Sequence, residues 1–224
     1  MTDLFLPALI LHITAGFGAV LVGVLPIVTR KGSRPHRLSG RVFVGLMATL
    51  LACAWIMTAI HFSAYFLGLS ATATMAVFSG VRVLRRKRPD LRAEDRPKAL
   101  DWILTLGVVA VGLWVLGLVV MGGAGDTAPV ATALAWGALA YGGWDLWRFA
   151  RPTDWPFSPE LWTYEHLVKM LGAYSAVLAA FSGNFLPFIP TPWSQLWPSL
   201  LFQPLAMIWV AALILRRRGR AVAA

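Results

Sequence analysis

Charge is scarce in this chain of 224 residues: 13% are Asp, Glu, Lys or Arg, where a soluble domain carries about a quarter. With 58% apolar residues and a mean hydropathy of +0.68, that scarcity excludes water as the medium for most of the surface. Cysteine is rarer still. Cys53 is the only one, so an intramolecular disulfide and a Cys-x-x-Cys redox or zinc motif are both ruled out. A Gly-rich phosphate loop and a His-Glu-x-x-His helix are also missing, which leaves nucleotide hydrolysis and zincin chemistry without support. The last apolar stretch has no lysine, so a retinal Schiff base has no point of attachment.

What the sequence does have is apolar runs of about 20 residues, the length that crosses a bilayer core of about 30 Å. They fall at 4–28, 41–60, 63–84, 100–121, 129–149, 161–183 and 199–215. The first has no basic flank and no clear small-residue cleavage site, and so reads as a retained helix rather than a signal peptide. The second and third are too long together for one span and require a tight turn at 61–64. The expected fold is an all-α integral membrane bundle of about seven transmembrane helices, forming a single domain over 1–224. No loop reaches 20 residues, and no clean internal repeat points to an inverted-repeat transporter.

Charge tests the count independently. With these spans all 20 Lys and Arg fall on one side, in 30–41, 82–98, 148–169 and 216–220, together with eight of the 10 acidic residues. Asp3 and Asp126 are the only charges on the other side. Basic loops stay in the cytoplasm, so the N-terminus is expected outside and the C-terminus inside. A net charge of +10 would point to nucleic acid in a soluble protein. In this chain it follows from loop asymmetry, and the partner it implies is the lipid bilayer, not nucleic acid.

Tryptophan marks interfaces, where an amphipathic ring meets headgroups. Trp144, Trp147, Trp155 and Trp162 bracket an inner loop, and Trp193 and Trp197 lie in the longest outer one. That outer stretch, 184–198, carries Pro187, Pro190, Pro192 and Pro198. It is expected to be an ordered, non-helical lid.

Polar residues at membrane depth are costly, so each requires a partner or a purpose. His12 shares a helical face with Ala15, Gly16, Ala19 and Gly23; small residues admit a close neighbour, which turns His12 into the bundle. His166 and Met170 are four apart on the sixth span, and imidazole and thioether are both ligands of heme iron or copper. Glu165 and Lys169, also four apart, are expected to neutralise each other. Asp101 is expected to pair with Lys98 and to face its helix dipole, and Asp145 to pair with Arg148. His36 sits in a basic turn before the second span, and His61 at the outer turn. Two layers follow: an inner one with His36 and His166, and an outer one with His12 and His61. Structural roles are the alternative for each: a hydrogen bond to a neighbouring helix, a packing methionine, a helix cap.

Three stretches together carry a resemblance. Residues 11–17, Leu-His-Ile-Thr-Ala-Gly-Phe, and 30–41, Arg-Lys-Gly-Ser-Arg-Pro-His-Arg-Leu-Ser-Gly-Arg, resemble the opening of the bacterial membrane family known as domain of unknown function 2306. Residues 165–174, with His166, Met170 and Tyr174 spaced by four, resemble its later His-x-x-x-Met-x-x-x-Tyr signature. The resemblance runs from the first helix to the sixth, and the proline-rich outer loop has no counterpart in it. It implies a multi-pass protein of the bacterial inner membrane, with His12, His36 and His166 at signature positions, and it implies no activity.

Two functional readings remain. One is a heme- or metal-binding redox membrane protein: His36 and His166, with Met170, ligate heme b or a metal ion near the inner face, and His12 serves an outer site. The other is a small transporter or an assembly partner of other membrane proteins, whose histidines are structural or relay protons.

Overall fold

The computed structural model describes residues 4–153 and 159–222, the last five of these by their backbone alone. Asp3 and Trp155 lie outside the described residues. Among the described residues seven α-helices hold most of the chain: α1 Phe5–Val28, α2 Arg34–Ile60, α3 Ala64–Arg82, α4 Ala99–Val120, α5 Ala128–Ala150, α6 Leu161–Phe185 and α7 Trp193–Val222. Among the described residues there is no strand, and the all-α bundle expected from the apolar runs is the fold. The shortest helix has 19 residues and the longest 30, about 28 and 45 Å at the rise of an α-helix. An odd number of antiparallel passes puts the described termini at opposite ends.

Five helices, α1, α2, α3, α4 and α7, are long and apolar enough to cross a membrane by themselves. The other two, α5 and α6, are 23 and 25 residues long but carry Asp145, Arg148, Glu165 and Lys169. Burial explains how they tolerate those charges. Thirteen residues of α6 are buried, so much of its surface meets protein rather than lipid. At the centre lies α3, with 12 of its 19 residues buried; it packs against α2, α4, α5 and α6. α1 packs on α2 and α7 on α6.

Small side chains make these approaches possible. The main core joins Ala15 and Ala19 of α1 to Phe43, Met47 and Leu50 of α2, Ala73, Ala76 and Val77 of α3, and Ala173, Tyr174 and Val177 of α6. The expected stripe on α1 is therefore an interface, with Ala15, Ala19 and Gly23 all buried. A Cβ on Gly23 would lie 2.6 Å from the Tyr174 ring and 3.0 Å from Phe43. The Tyr174 hydroxyl donates to the Val20 carbonyl at 3.2 Å across the same contact.

Local signals set the ends. Ser33 caps α2 by accepting from the His36 N–H, with Pro35 in the first turn. The helix therefore starts at Arg34, seven residues before the apolar span, and the basic turn forms its first two turns. The turn between α2 and α3 is residues 61–63, where the run lengths required it. The outer lid differs from expectation. α6 continues to Phe185 and α7 starts at Trp193 with Pro198 and Pro204 inside it, so only 186–192 are non-helical. Membrane helices tolerate proline because neighbouring groups satisfy the freed backbone. The carbonyls of Pro190 and Pro192 take the N–H groups of Ser194, Gln195 and Leu196. Trp197 is then a helix contact, donating its indole N–H to the Ser182 hydroxyl at 2.7 Å.

Candidate functional site

The basic loops define an inner end of the bundle, and the opposite, outer half contains a cavity. About 300 Å³ in volume, it lies between α1, α2, α3 and α6, and both His12 and His61 line it. The structure thus brings the two outer histidines to one site, although they come from different depths. His12 is seven residues below the outer start of α1, about 10 Å along the axis, while His61 sits at the mouth against Phe5, with ring centroids 4.8 Å apart.

His12 is held by a hydrogen bond from its Nδ1 to the Leu50 carbonyl at 3.0 Å. A carbonyl only accepts, so Nδ1 carries the proton and the neutral ring keeps a lone pair on Nε2. Two more polar side chains line the cavity from α3. Tyr65 and Ser70 are 7% and 3% exposed, and among the described residues neither side chain has a hydrogen-bond partner. Ser70 is six residues below the outer start of α3, about 9 Å, level with His12. The rest of the lining is apolar apart from Thr58 and Asn184, whose side chains donate to carbonyls of their own helices. Among the described residues, no Lys, Arg, Asp or Glu lines the cavity.

The inner histidines follow the same pattern. His36 bonds through Nδ1 to the Pro26 carbonyl at 3.0 Å, one of the carbonyls a helix leaves unpaired at its C-terminus. Lys31 closes the same end by donating to the Pro26 and Ile27 carbonyls. His166 bonds through Nδ1 to the Gly80 carbonyl at 2.8 Å, and His36 and Lys31 both act on it electrostatically. Met170 does share the face of His166: its sulfur is packed against Gly80, 2.9 Å from where a Cβ would stand. Both inner histidines keep Nε2 available, as metal-ligating histidines do. Among the described residues, no group of three or more His, Cys, Asp and Glu comes together as a metal-holding cluster.

Beside this layer lies a cluster of buried ions that sequence reasoning paired differently. Lys169 does not rely on Glu165 one turn before it. Its Nζ is 2.5 Å from Asp145 of α5 and 2.7 Å from the hydroxyl of Ser79 on α3, and that hydroxyl donates in turn to Asp145. Glu165 instead takes the Arg148 guanidinium at 3.0 Å and the Trp144 indole at 2.6 Å. Asp101 is paired by Arg82 at 2.6 Å and Arg86 at 3.5 Å, and its contact with Lys98 is the backbone N–H, a helix cap. Asp145, expected to pair with Arg148, has its ion pairs with Lys169 and with Arg86 at 3.8 Å. Tertiary packing overrides the helical neighbour because an i, i+4 pair is worth only about 0.2–0.5 kcal/mol, while a charge buried without a partner costs several.

Sequence reasoning missed Ser79, Arg82 and Arg86 as partners, and Tyr65 and Ser70 as cavity groups. For the arginines a signal existed: Arg82 and Arg86 are four apart at the end of an apolar run, so one charged face enters the bundle. No pattern marks the others. Compared with known protein families, characterised proteins and solved structures, the chain matches none.

Proposed function

We propose that this membrane protein binds an apolar, membrane-soluble molecule in its outer-half cavity, with Nε2 of His12 as the polar anchor. The observation that carries the reading is the fixed His12 ring, its Nδ1 committed to Leu50, in the wall of an apolar cavity whose volume is at the lower end of the range for ligand pockets. Its setting is the bacterial inner membrane, oriented by its basic loops with the cavity half outward, and the resemblance to domain of unknown function 2306 supports this. The test is to purify the protein in a mild detergent and identify co-purified small molecules by native mass spectrometry. An apolar adduct that disappears in His12→Leu supports the reading. A wild-type protein that holds nothing, even after apolar ligands are supplied, defeats it.

A second reading keeps the redox chemistry at the inner layer, favoured by His36 and His166 both directing Nδ1 to a backbone carbonyl. Those two residues would supply axial nitrogens to heme b or donors to a metal ion. Protein produced with heme supplied would show a Soret band, lost in both His36→Ala and His166→Ala. A colourless, metal-free protein would leave the inner histidines as structural groups, each tying its helix to the carbonyl it holds.

A further inference from the structure

The polar groups of the outer cavity specify more than an apolar guest. Among the described residues that line it, none is Lys, Arg, Asp or Glu, so a fatty-acid carboxylate, a phosphate headgroup or an ammonium would enter without a counter-charge from them at high cost. The guest's head is therefore neutral. It is also polar, because Tyr65 and Ser70 line the cavity and, among the described residues, their hydroxyls have no hydrogen-bond partner, so an oxygen of the guest can pair them. Their hydroxyls donate, whereas Nε2 of a neutral His12 accepts. Donors lie on α3 and the acceptor on α1, across the cavity and, for Ser70 and His12, at one depth.

The wall between α1 and α6 shows where the rest of such a molecule goes. Phe17 packs on Phe181 and Phe185 with centroids 5.4 and 5.0 Å apart. These rings line the cavity, and Phe17 and Phe185 are 41% and 46% exposed. A seam of side chains between two helices can part, which gives an apolar tail a route from the cavity into the lipid.

We propose, on the basis of the cavity reading above, that the ligand is an isoprenoid quinone or its quinol. Its flat, neutral ring bears an oxygen on each side, an acceptor for Ser70 and Tyr65 and, in the quinol, a donor to His12. Its tail is an apolar chain that passes the Phe17–Phe181–Phe185 seam. A sterol or a long-chain alcohol has only one oxygen and cannot pair both walls of the cavity, as the quinol does.

The experiment measures binding of a decyl-substituted benzoquinone, both oxidised and reduced to the quinol, and of dodecylbenzene, an apolar control without oxygen, to the full chain in lipid nanodiscs. The quinone is expected to bind more tightly than the control. Ser70→Ala and Tyr65→Phe should each weaken the quinone roughly three- to tenfold, the effect of one hydrogen bond, and leave dodecylbenzene unchanged. The melting temperature of each variant, followed in parallel, separates lost contacts from lost folding. Equal affinity for quinone and control, or quinone binding indifferent to both variants in folded protein, overturns the assignment while the cavity remains a ligand site. Failure of both compounds to bind overturns the assignment and the cavity reading together.

Discussion

Exchanging the charges of Asp145 and Lys169 for neutral groups tests the pairing on which the inner half of the bundle depends. Both side chains are nearly inaccessible, 2% and 3% exposed, and each is the other's closest counter-ion. In Asp145→Asn the shape is kept, but Lys169 loses its counter-ion and keeps only neutral acceptors, the Ser79 hydroxyl among them, while Arg86 keeps Asp101 as its counter-ion. Removing one member of a buried pair costs about 3–5 kcal/mol, because the remaining charge stays desolvated. Lys169→Met should cost a similar amount. The double variant should cost far less than the two together, giving a coupling near the upper end for contacting residues, about 2–3 kcal/mol. In the parallel cycle of Glu165→Gln and Lys169→Met the coupling should stay near that of a helical i, i+4 pair, about 0.2–0.5 kcal/mol. The measurement is reversible unfolding in mixed micelles of rising anionic-detergent content, followed by circular dichroism. A larger coupling for Glu165 and Lys169 than for Asp145 and Lys169 would place the pair within α6 and refute the inter-helix network.

Gly23→Leu should lower stability by about 1–3 kcal/mol through overpacking, since even a Cβ there meets Tyr174 and Phe43; Val24→Leu, on the exposed neighbouring position, should be close to neutral, and equal effects would mean that this face looks at lipid. Reporter fusions at Arg85 and Arg216 should report the cytoplasm and one at Asp126 the outside, and a reversed pattern would invert the bundle. In the inner loop the Arg88 guanidinium hydrogen-bonds Asp90 and holds its carboxyl below the ordinary carboxylate value. A depressed folded pKa gives a contribution present at neutral pH and lost as pH falls through that value. Amide exchange in 88–95 should therefore accelerate, relative to its intrinsic rate, only in acid below the usual carboxylate range, and acceleration near neutrality would exclude Asp90 as the cause.

Hydropathy and charge made the architecture legible. Each of the seven runs became a helix, because in a bilayer a span must satisfy its backbone internally and the chain has little freedom beyond that. Helix ends were less legible. The Ser33 cap added seven residues to α2, and the prolines near 190–198, read as a lid, turned out to start a helix once Pro192 and Pro190 had carbonyls to offer. The stripe of Ala15, Ala19 and Gly23 was read correctly as an interface because the signal, spacing by three and four, is the same thing as the contact. Ion pairs were not legible. Glu165 and Lys169 stand one turn apart on α6, but their partners come from α3 and α5, and no local spacing encodes which helix faces which. The outer site shows the same limit: His12 and His61 were grouped by layer, whereas Tyr65 and Ser70 gain meaning only when α3 is placed across the cavity from α1.

The two halves of the bundle divide the work in a way that favours a ligand site at the outer end. Inward, α3, α4, α5 and α6 are locked by a network in which Arg82, Arg86, Arg148 and Lys169 face Asp101, Asp145 and Glu165. Moving any one of these helices breaks a buried pair, so this half is rigid. Outward, α1 meets α6 through three phenylalanines and leaves about 300 Å³ between them and α2 and α3. In a bilayer an acyl chain is at hand to enter so apolar a space. A lipid tail, however, leaves Tyr65, Ser70 and Nε2 of His12 unpaired, so a molecule that pairs them displaces it. In the proposed site, selectivity would therefore come from these three polar groups rather than from the apolar volume, which any lipid fills equally well.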